Sequence, residues 1–153
     1  MRIRAATLLI AASLLGAAAV AACSGSTPSH EFKTILGLAD ENYSLPVVVR
    51  DETSLVTRIE AGPSDPTFNY MGAAARADPA DPNAFIVSWM GGACDNDAVL
   101  WFTRGDAVYA LSVEVHGKFS LFGGCPALGV PRDVRIVTSS PIPIDSIVAA
   151  GGT

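Results

Sequence analysis

Three apolar stretches in the second half of the chain decide the fold: residues 84–90 (AFIVSWM), 98–104 (AVLWFTR) and 107–116 (AVYALSVEVH). All three are short and rich in β-branched and aromatic residues, which is typical of β-strands. In the third stretch every second residue is apolar, and these residues share one face because successive side chains of a strand point to opposite sides. A Gly-Asp pair at residues 105–106 predicts a tight type II′ hairpin between the last two stretches.

Weaker signals lie on both sides of this segment. Short β-branched or alternating runs occur at residues 45–50 (LPVVVR), 54–60 (SLVTRIE), 119–122 (FSLF) and 133–138 (DVRIVT). Residues 32–38 are too short to decide between helix and strand, and residues 144–150 predict a last short strand or a turn. Residues 71–77 could form one helical turn, whereas the two prolines of residues 78–83 predict a loop. Gly91-Gly92 is expected to end the strand before it.

These signals predict an all-β fold of about seven or eight short strands, arranged as a small antiparallel sandwich or barrel. A chain of 153 residues has the length of one domain, which excludes a multidomain enzyme or a repeat array. The stretch from Trp89 to Pro131 also resembles uncharacterised exported domains of GC-rich bacteria, and this resemblance bears on the fold but implies no mechanism.

The N-terminus carries an export signal. Arg2 and Arg4 precede sixteen uncharged residues at 7–22 (TLLIAASLLGAAAVAA), which are fewer than the roughly 20 that a membrane-spanning helix needs. The stretch ends in Val-Ala-Ala-Cys at positions 20–23. This arrangement resembles the signal and lipobox of bacterial lipoproteins, in which the cysteine is acylated and becomes the first residue of the mature protein. Two alternatives stay open: an ordinary secretory signal with an incidental Cys23, and a retained transmembrane anchor.

The resemblance implies three parts. Residues 1–22 are a signal peptide that is removed, residues 23–31 are the lipidated cysteine (diacylglycerol, palmitate) with a flexible stalk, and residues 32–153 are a single β domain. The implied location is the cell membrane or outer membrane, with the domain facing away from the cytoplasm and the membrane contacted through the lipid on Cys23. Loss of Arg2 and Arg4 changes the net charge from −5 to −7, and this acidic balance argues against nucleic acid as a partner.

Cys94 and Cys125 remain as an even pair in an oxidising compartment, which predicts a disulfide. A bond across a loop of this length would stabilise the fold by roughly 3–4 kcal/mol on the chain-entropy estimate. A metal pair or a reactive thiol is the alternative. The chain has no CxxC, however, and only His30 and His116 could complete a metal site.

No catalytic set is expected, because the chain lacks the motifs of a nucleophilic serine and of a phosphate loop. His116 is expected to be a solvated hairpin residue, and no cofactor or metal is assigned. Four acidic residues in two loops could supply oxygens to Ca²⁺, or could serve only as turn formers: Asp78, Asp81, Asp95 and Asp97. Asp95 and Asp97 would also be the acids of an envelope hydrolase, although nothing in the sequence positions them. The tripeptide Arg104-Gly105-Asp106 is expected at an exposed hairpin tip.

The sequence therefore predicts a non-enzymatic binding or structural module at the cell envelope, with another envelope protein as a candidate partner. A small-ligand carrier with a cavity between the sheets is the alternative. Aromatic residues are concentrated in the second half and are interpreted as core, with a groove for a ligand as the other option: Trp89, Trp101, Phe102, Tyr109, Phe119 and Phe122. A filled core with an exposed apolar patch would favour the interaction module, and a cavity of hundreds of Å³ would favour the carrier.

Overall fold

The structure, a computed structural model, describes residues 29–37, 44–65, 67–69, 72–117 and 128–151. Nine strands lie in these ranges: β1 His30–Leu36, β2 Leu45–Asp51, β3 Val56–Ala61, β4 Ala74–Ala77, β5 Ala84–Gly92, β6 Asp95–Arg104, β7 Tyr109–Gly117, β8 Gly129–Thr138 and β9 Ile147–Gly151. One 3-10 turn, Ile144–Ser146, precedes β9, and the described residues contain no α-helix. The strand predicted at residues 119–122 lies outside the described residues.

The strands form two sheets packed face to face, so the all-β class is confirmed and the sandwich is the form it takes. The five-stranded sheet has the order β1-β2-β6-β7-β9, and the four-stranded sheet has the order β3-β8-β5-β4. Most neighbours are antiparallel, but β2 pairs with β6 and β7 with β9 in parallel. The five-stranded sheet is therefore mixed, because the chain leaves it after β2, builds β3 to β5 in the other sheet, and returns in the same direction.

Alternation along each strand determines which side chains enter the core. The inward residues of both sheets meet between them. The largest that are fully buried there are Trp89, Phe85, Phe102, Leu45, Leu100, Leu111 and Ile136. Ile86 is also fully buried, but on the opposite side of its strand. Phe85 and Phe102 come from different sheets, and their ring centroids lie 5.6 Å apart. The space between the sheets is thus occupied by large apolar side chains.

Three local predictions were wrong. Residues 74–77 of the expected helical turn form β4, which pairs with Phe85–Ser88 of β5. The predicted two-residue hairpin is a four-residue loop, in which the Gly105 N–H donates to the Val108 carbonyl at 2.8 Å. Gly91-Gly92 continues β5 instead of ending it, because both residues pair with β8, Gly91 with Val130 and Gly92 with Gly129.

The two ends of the sandwich carry different parts of the chain. At one end β1 begins at His30, beside Asp51 of β2, whose neighbour on β6 is Phe102. We call this the His30 end. At the other end β1 finishes at Leu36 and β5 turns into β6 through Cys94. The strands of the five-stranded sheet run between these ends, so a residue's place along its strand gives its distance from the His30 end.

Candidate functional site

The outer face of the five-stranded sheet, which points away from the core, is the candidate site. The site lies on four strands, with Glu31, Lys33 and Ile35 of β1, Pro46, Val48 and Arg50 of β2, Asp97, Val99, Trp101 and Thr103 of β6, and Ala110, Ser112, Glu114 and His116 of β7. Val148 and Ala150 of β9 share the same face but lie beyond the site. Polar side chains are expected on a solvated sheet face. Here five neighbouring positions on β1, β2 and β6 are apolar.

These five residues form one contiguous strip, which we call the apolar stripe: Ile35, Pro46, Val48, Val99 and Trp101. Ile35 is the direct neighbour of Pro46, and Val48 is the direct neighbour of Val99. Ile35 is 66% exposed. A shallow surface concavity of about 400 Å³ lies over residues 33–35 and 46–48. Pro46 is also exposed, whereas Val48, Val99 and Trp101 are half-buried. The stripe therefore offers most of its apolar surface to solvent on β1 and β2.

A cationic border flanks the stripe on the β1–β2 side. The Arg50 guanidinium lies over the Trp101 ring, 4.6 Å from its centroid, in the geometry of a cation–π contact. Glu31 accepts from Lys33 at 2.9 Å and lies 3.6 Å from Arg50 Nε. The hydrogen bond from Lys33 is the main reason that the pKa of Glu31 is lowered. Two cations share one carboxylate, so this border is positive.

An anionic border flanks the stripe on the β6–β7 side. His116 Nδ1 lies 2.5 Å from Asp97 Oδ1, and His116 Nε2 lies 3.5 Å from Glu114 Oε1. The hydrogen bond with Asp97 raises the pKa of His116, and Glu114 adds to that shift. The side chain of His116 is exposed, as the sequence predicted, and two carboxylates surround one imidazole. This border is negative when His116 is neutral and still carries an excess of acid when it is protonated.

The opposite outer face, on the four-stranded sheet, is organised differently. Arg135 of β8 is bound by three carboxylates: Asp78 Oδ2 and Glu60 Oε1 at 2.5 Å each and Asp81 Oδ2 at 2.8 Å. These contacts raise the pKa of Arg135 and lower that of Asp78. We call this group the Arg135 cluster.

A second polar group on that face lies under the segment after β3. Ser88 Oγ donates to Asp133 Oδ1 at 2.6 Å, and both residues are buried. Arg76 completes the group, since its Nη2 donates to the Pro63 carbonyl at 2.7 Å and lies 3.5 Å from Asp133 Oδ1. The polar residues of this face thus bind one another and hold the loops of the chain.

The acidic residues considered for calcium are not brought together. Asp78 and Asp81 lie before β5 and Asp95 and Asp97 after it, and a strand of nine residues separates the two pairs by about 30 Å. Asp78 and Asp81 accept backbone N–H bonds at 2.9 Å from residues two positions on, which is the turn chemistry that the sequence offered as the alternative. Among the described residues, no group of three or more His, Cys, Asp and Glu could hold a metal ion.

The other predicted positions are placed as follows. Cys94 is half-buried in the turn between β5 and β6, whereas Cys23 and Cys125 lie outside the described residues, so lipidation and the disulfide stay predictions. Arg104-Gly105-Asp106 is exposed, as expected, beside a concavity of about 240 Å³.

Sequence reasoning missed Trp101. It was interpreted as core together with the other aromatics, but the structure places it on the outer face, while Trp89 and Phe102 are fully buried. The signal was available, because Trp101 and Phe102 are consecutive and must point to opposite faces. What the sequence lacked was a way to tell which of the two faces is covered.

No protein-family model, no curated protein and no solved structure matches the chain. In the described part of the chain, no helix has the length and apolar character needed to cross a membrane.

Proposed function

We propose that the chain is a membrane-anchored extracytoplasmic lipoprotein whose β-sandwich is a non-enzymatic binding module for a protein at the cell envelope. The observation that carries the binding role is the apolar stripe on the outer face of the five-stranded sheet. Exposed apolar strips bordered by charged residues are characteristic of protein–protein contacts.

The aromatic residue of the stripe supports this role. Trp and Arg are the side chains that most often dominate binding energy at protein interfaces, and Trp101 and Arg50 lie together at 4.6 Å in the middle of the face. Glu31 holds Arg50 from one side, which reduces the conformational freedom that the side chain would lose on binding. The pair is therefore preorganised for contact with a partner.

The lipid anchor would present this face to neighbours on the same membrane. Seven residues lead from Cys23 to His30 and span at most about 25 Å when extended. The His30 end of the sandwich is therefore the end that faces the membrane in this proposal. The stripe runs from Trp101 toward Ile35, away from the His30 end. In this orientation the stripe faces along the membrane, toward neighbouring proteins.

The alternative, a small-ligand carrier with a cavity between the sheets, has less support. The inward side chains of both sheets fill the space between them, with Trp89, Phe85 and Phe102 fully buried. The concavity of about 400 Å³ lies on the outer face of β1 and β2 and not between the sheets.

The binding role is tested with a matched pair of variants in the full-length, tagged protein purified from its own membranes. Ile35→Asp places a charge on the stripe (66% exposed), and Val148→Asp places one at a somewhat less exposed position (55%) on the opposite edge of the same face. We expect Ile35→Asp to lose a protein that co-purifies with the unaltered chain and with Val148→Asp. Equal recovery of bound protein in both variants would contradict a role for the stripe.

Two further experiments test the covalent features. Cys23→Ser is expected to move the protein from the membrane to the soluble fraction, and a variant that still sediments with membranes would contradict the lipid anchor. We also propose the Cys94–Cys125 disulfide, which is supported by the even pair of cysteines in the oxidising compartment that the export signal implies. Alkylation without reductant should leave both cysteines unlabelled, and labelling of both would contradict the bond.

A further inference from the structure

The outer face of the five-stranded sheet is divided by charge. Lys33 and Arg50 make the β1–β2 half positive, whereas Asp97 and Glu114 make the β6–β7 half negative. The apolar pair Val48 and Val99 lies where the two halves meet, on the parallel pair β2–β6. A surface whose two halves carry opposite charge across an apolar centre is complementary to itself.

Two copies of the face can be related by a two-fold axis that runs along the strands between β2 and β6. This arrangement places the positive half of each copy over the negative half of the other. It places β2 of one copy over β6 of the other and β1 over β7, at the same height along the strands. Because Lys33, Val48, Val99 and Glu114 form one row across the sheet, the axis brings Lys33 over the second copy's Glu114 and Val48 over its Val99. The next row places Arg50 over the second copy's Trp101.

The other two-fold axis in the plane of the face lies at right angles to the strands. The arrangement it produces is electrostatically unfavourable. It places β1–β2 over β1–β2 and β6–β7 over β6–β7, so that halves with the same sign of net charge face each other. It also turns the two His30 ends in opposite directions, which would separate two lipid anchors. The axis along the strands keeps both His30 ends on the same side.

We infer that the partner of the outer face is a second copy of this chain, bound face to face about an axis parallel to the strands. This inference rests on the proposed function, since it names the partner of the same face. The two sheets would lie about 10 Å apart, as in other packed sheets. Val48 and Val99 of both copies meet at the centre of the contact, whereas Ile35 and Pro46 lie over the second copy's His116 and Asp97.

The size of the face indicates how strong this association is. Strands β1, β2, β6 and β7 cover an area of about 19 Å by 23 Å, roughly 400 Å² of sheet per copy at ordinary strand spacing. A standard interface buries about 800 Å² per partner. Association is therefore weak in dilute solution and depends on the anchor, because confinement to one membrane raises the effective concentration of the two copies.

The test uses the full-length chain in its own membrane, with a photoreactive amino acid in place of Val99 and two differently tagged copies expressed together. We expect a cross-linked product that contains both tags. Lys33→Glu and Glu114→Lys should each lower its yield by about tenfold or more, because each places like charges opposite each other. The double variant Lys33→Glu/Glu114→Lys should restore it. Within one chain these residues are three strand spacings, about 14 Å, apart, so restoration reports contact between copies.

The outcomes separate this inference from the proposed function. A product with both tags that follows the charge reversals supports the two-fold arrangement. A product in which position 99 is linked to a different protein overturns the second copy and leaves the binding role of the face intact. Absence of any protein product overturns both. Thermal unfolding of each variant serves as the folding control, and Val148→Asp, outside the four strands of the contact, should leave the yield unchanged.

Discussion

The two outer faces of the sandwich differ in what their side chains contact. On the four-stranded sheet, Arg135 and Arg76 lie among carboxylates and backbone carbonyls of their own chain, and Ser88 and Asp133 are buried under a loop. On the five-stranded sheet the charged residues lie at the borders of the apolar stripe, in which Ile35 and Pro46 are exposed and Val48, Val99 and Trp101 are half-buried. The side chains of the four-stranded face bind loops of their own chain, whereas the five-stranded face has apolar surface that a partner can contact.

Because of this difference, residues of the four-stranded face are expected to contribute mainly to folding stability, and residues of the five-stranded face mainly to binding. A guanidinium bound by three partly buried carboxylates costs folding energy when it is lost, because the acids remain without their counter-charge. A half-buried tryptophan on an outer face, such as Trp101, contributes less to folding than a core side chain but supplies a large part of the energy at an interface. Substitutions on the two faces should therefore change different measurements, and four predictions test this.

The largest expected change in stability comes from the Arg135 cluster. Arg135→Met keeps the aliphatic part of the side chain but removes the guanidinium. The Asp78 carboxylate, whose side chain is only 7% exposed, then loses its counter-charge. We expect the free energy of unfolding to fall by about 3 kcal/mol, the lower end for a broken buried ion pair. The measurement is urea unfolding at neutral pH.

A matched control uses the second arginine that contacts Glu60. Arg58 lies 3.6 Å from Glu60 with its own side chain 62% exposed, so Arg58→Met should change stability by only about 0.5 kcal/mol. Equal effects of the two substitutions would show that the Arg135 cluster does not hold the fold. Neither change should affect cross-linking through position 99.

The next effect is expected at Ser88. Ser88→Ala removes the hydroxyl that donates to the buried Asp133 carboxylate at 2.6 Å, and a hydrogen bond to a charged group contributes about 2 kcal/mol. Ser112→Ala, at an exposed position on the other outer face, is the control and should be close to neutral. A loss as large for Ser112 as for Ser88 would contradict the distinction between the faces.

Trp101→Ala should weaken binding more than it lowers folding stability. We expect about 1 kcal/mol of folding stability to be lost with the Arg50 contact and about 2 kcal/mol of binding free energy. Unfolding and the yield of the cross-linked product are measured on the same samples. Thr103→Ala, two residues along the same face, should affect neither. A Trp101 variant that is strongly unfolded but still cross-links would place this residue with the core.

The smallest effect is a pH dependence at His116. Because Asp97 raises the pKa of His116 above its ordinary value of 6.5, protonation of His116 stabilises the folded state. This contribution is fully present below pH 6.5 and is lost as the pH rises through the raised pKa. The stability difference between the unaltered chain and His116→Gln should therefore shrink with rising pH. An NMR titration in which Asp97→Asn leaves the pKa of His116 unchanged would contradict the cause.

The elements with strong local patterns were predictable from the sequence. The runs at 84–90 and 133–138 alternate or are densely apolar, and both lie within observed strands. The strand β4 was not predictable, because Ala-Ala-Arg-Ala has no β-branched residue and becomes a strand only by pairing with β5. Pairing with a strand already in place overrides a weak local preference.

The candidate site was predictable only in part. The sequence shows that Trp101 and Phe102 point to opposite faces, but the choice of buried face depends on the other sheet, which packs on Phe102 through Phe85. The sequence offers Asp78 and Asp81 as turn formers or calcium ligands, and the structure shows the turn hydrogen bonds of both. Their binding to Arg135, more than fifty positions away, depends on the order of strands and has no local signal.

The amino-acid sequence by itself determined that this chain is built from strands with two unlike sides, because alternation follows from the geometry of a single extended segment. Only the tertiary structure decided which strands are neighbours. Arg50 and Trp101 meet because β2 and β6 pair in parallel across the residues that build β3, β4 and β5 in the other sheet. Such a pairing is selected by the packing of the whole core, so the apolar stripe and its charged borders exist only once both sheets have formed.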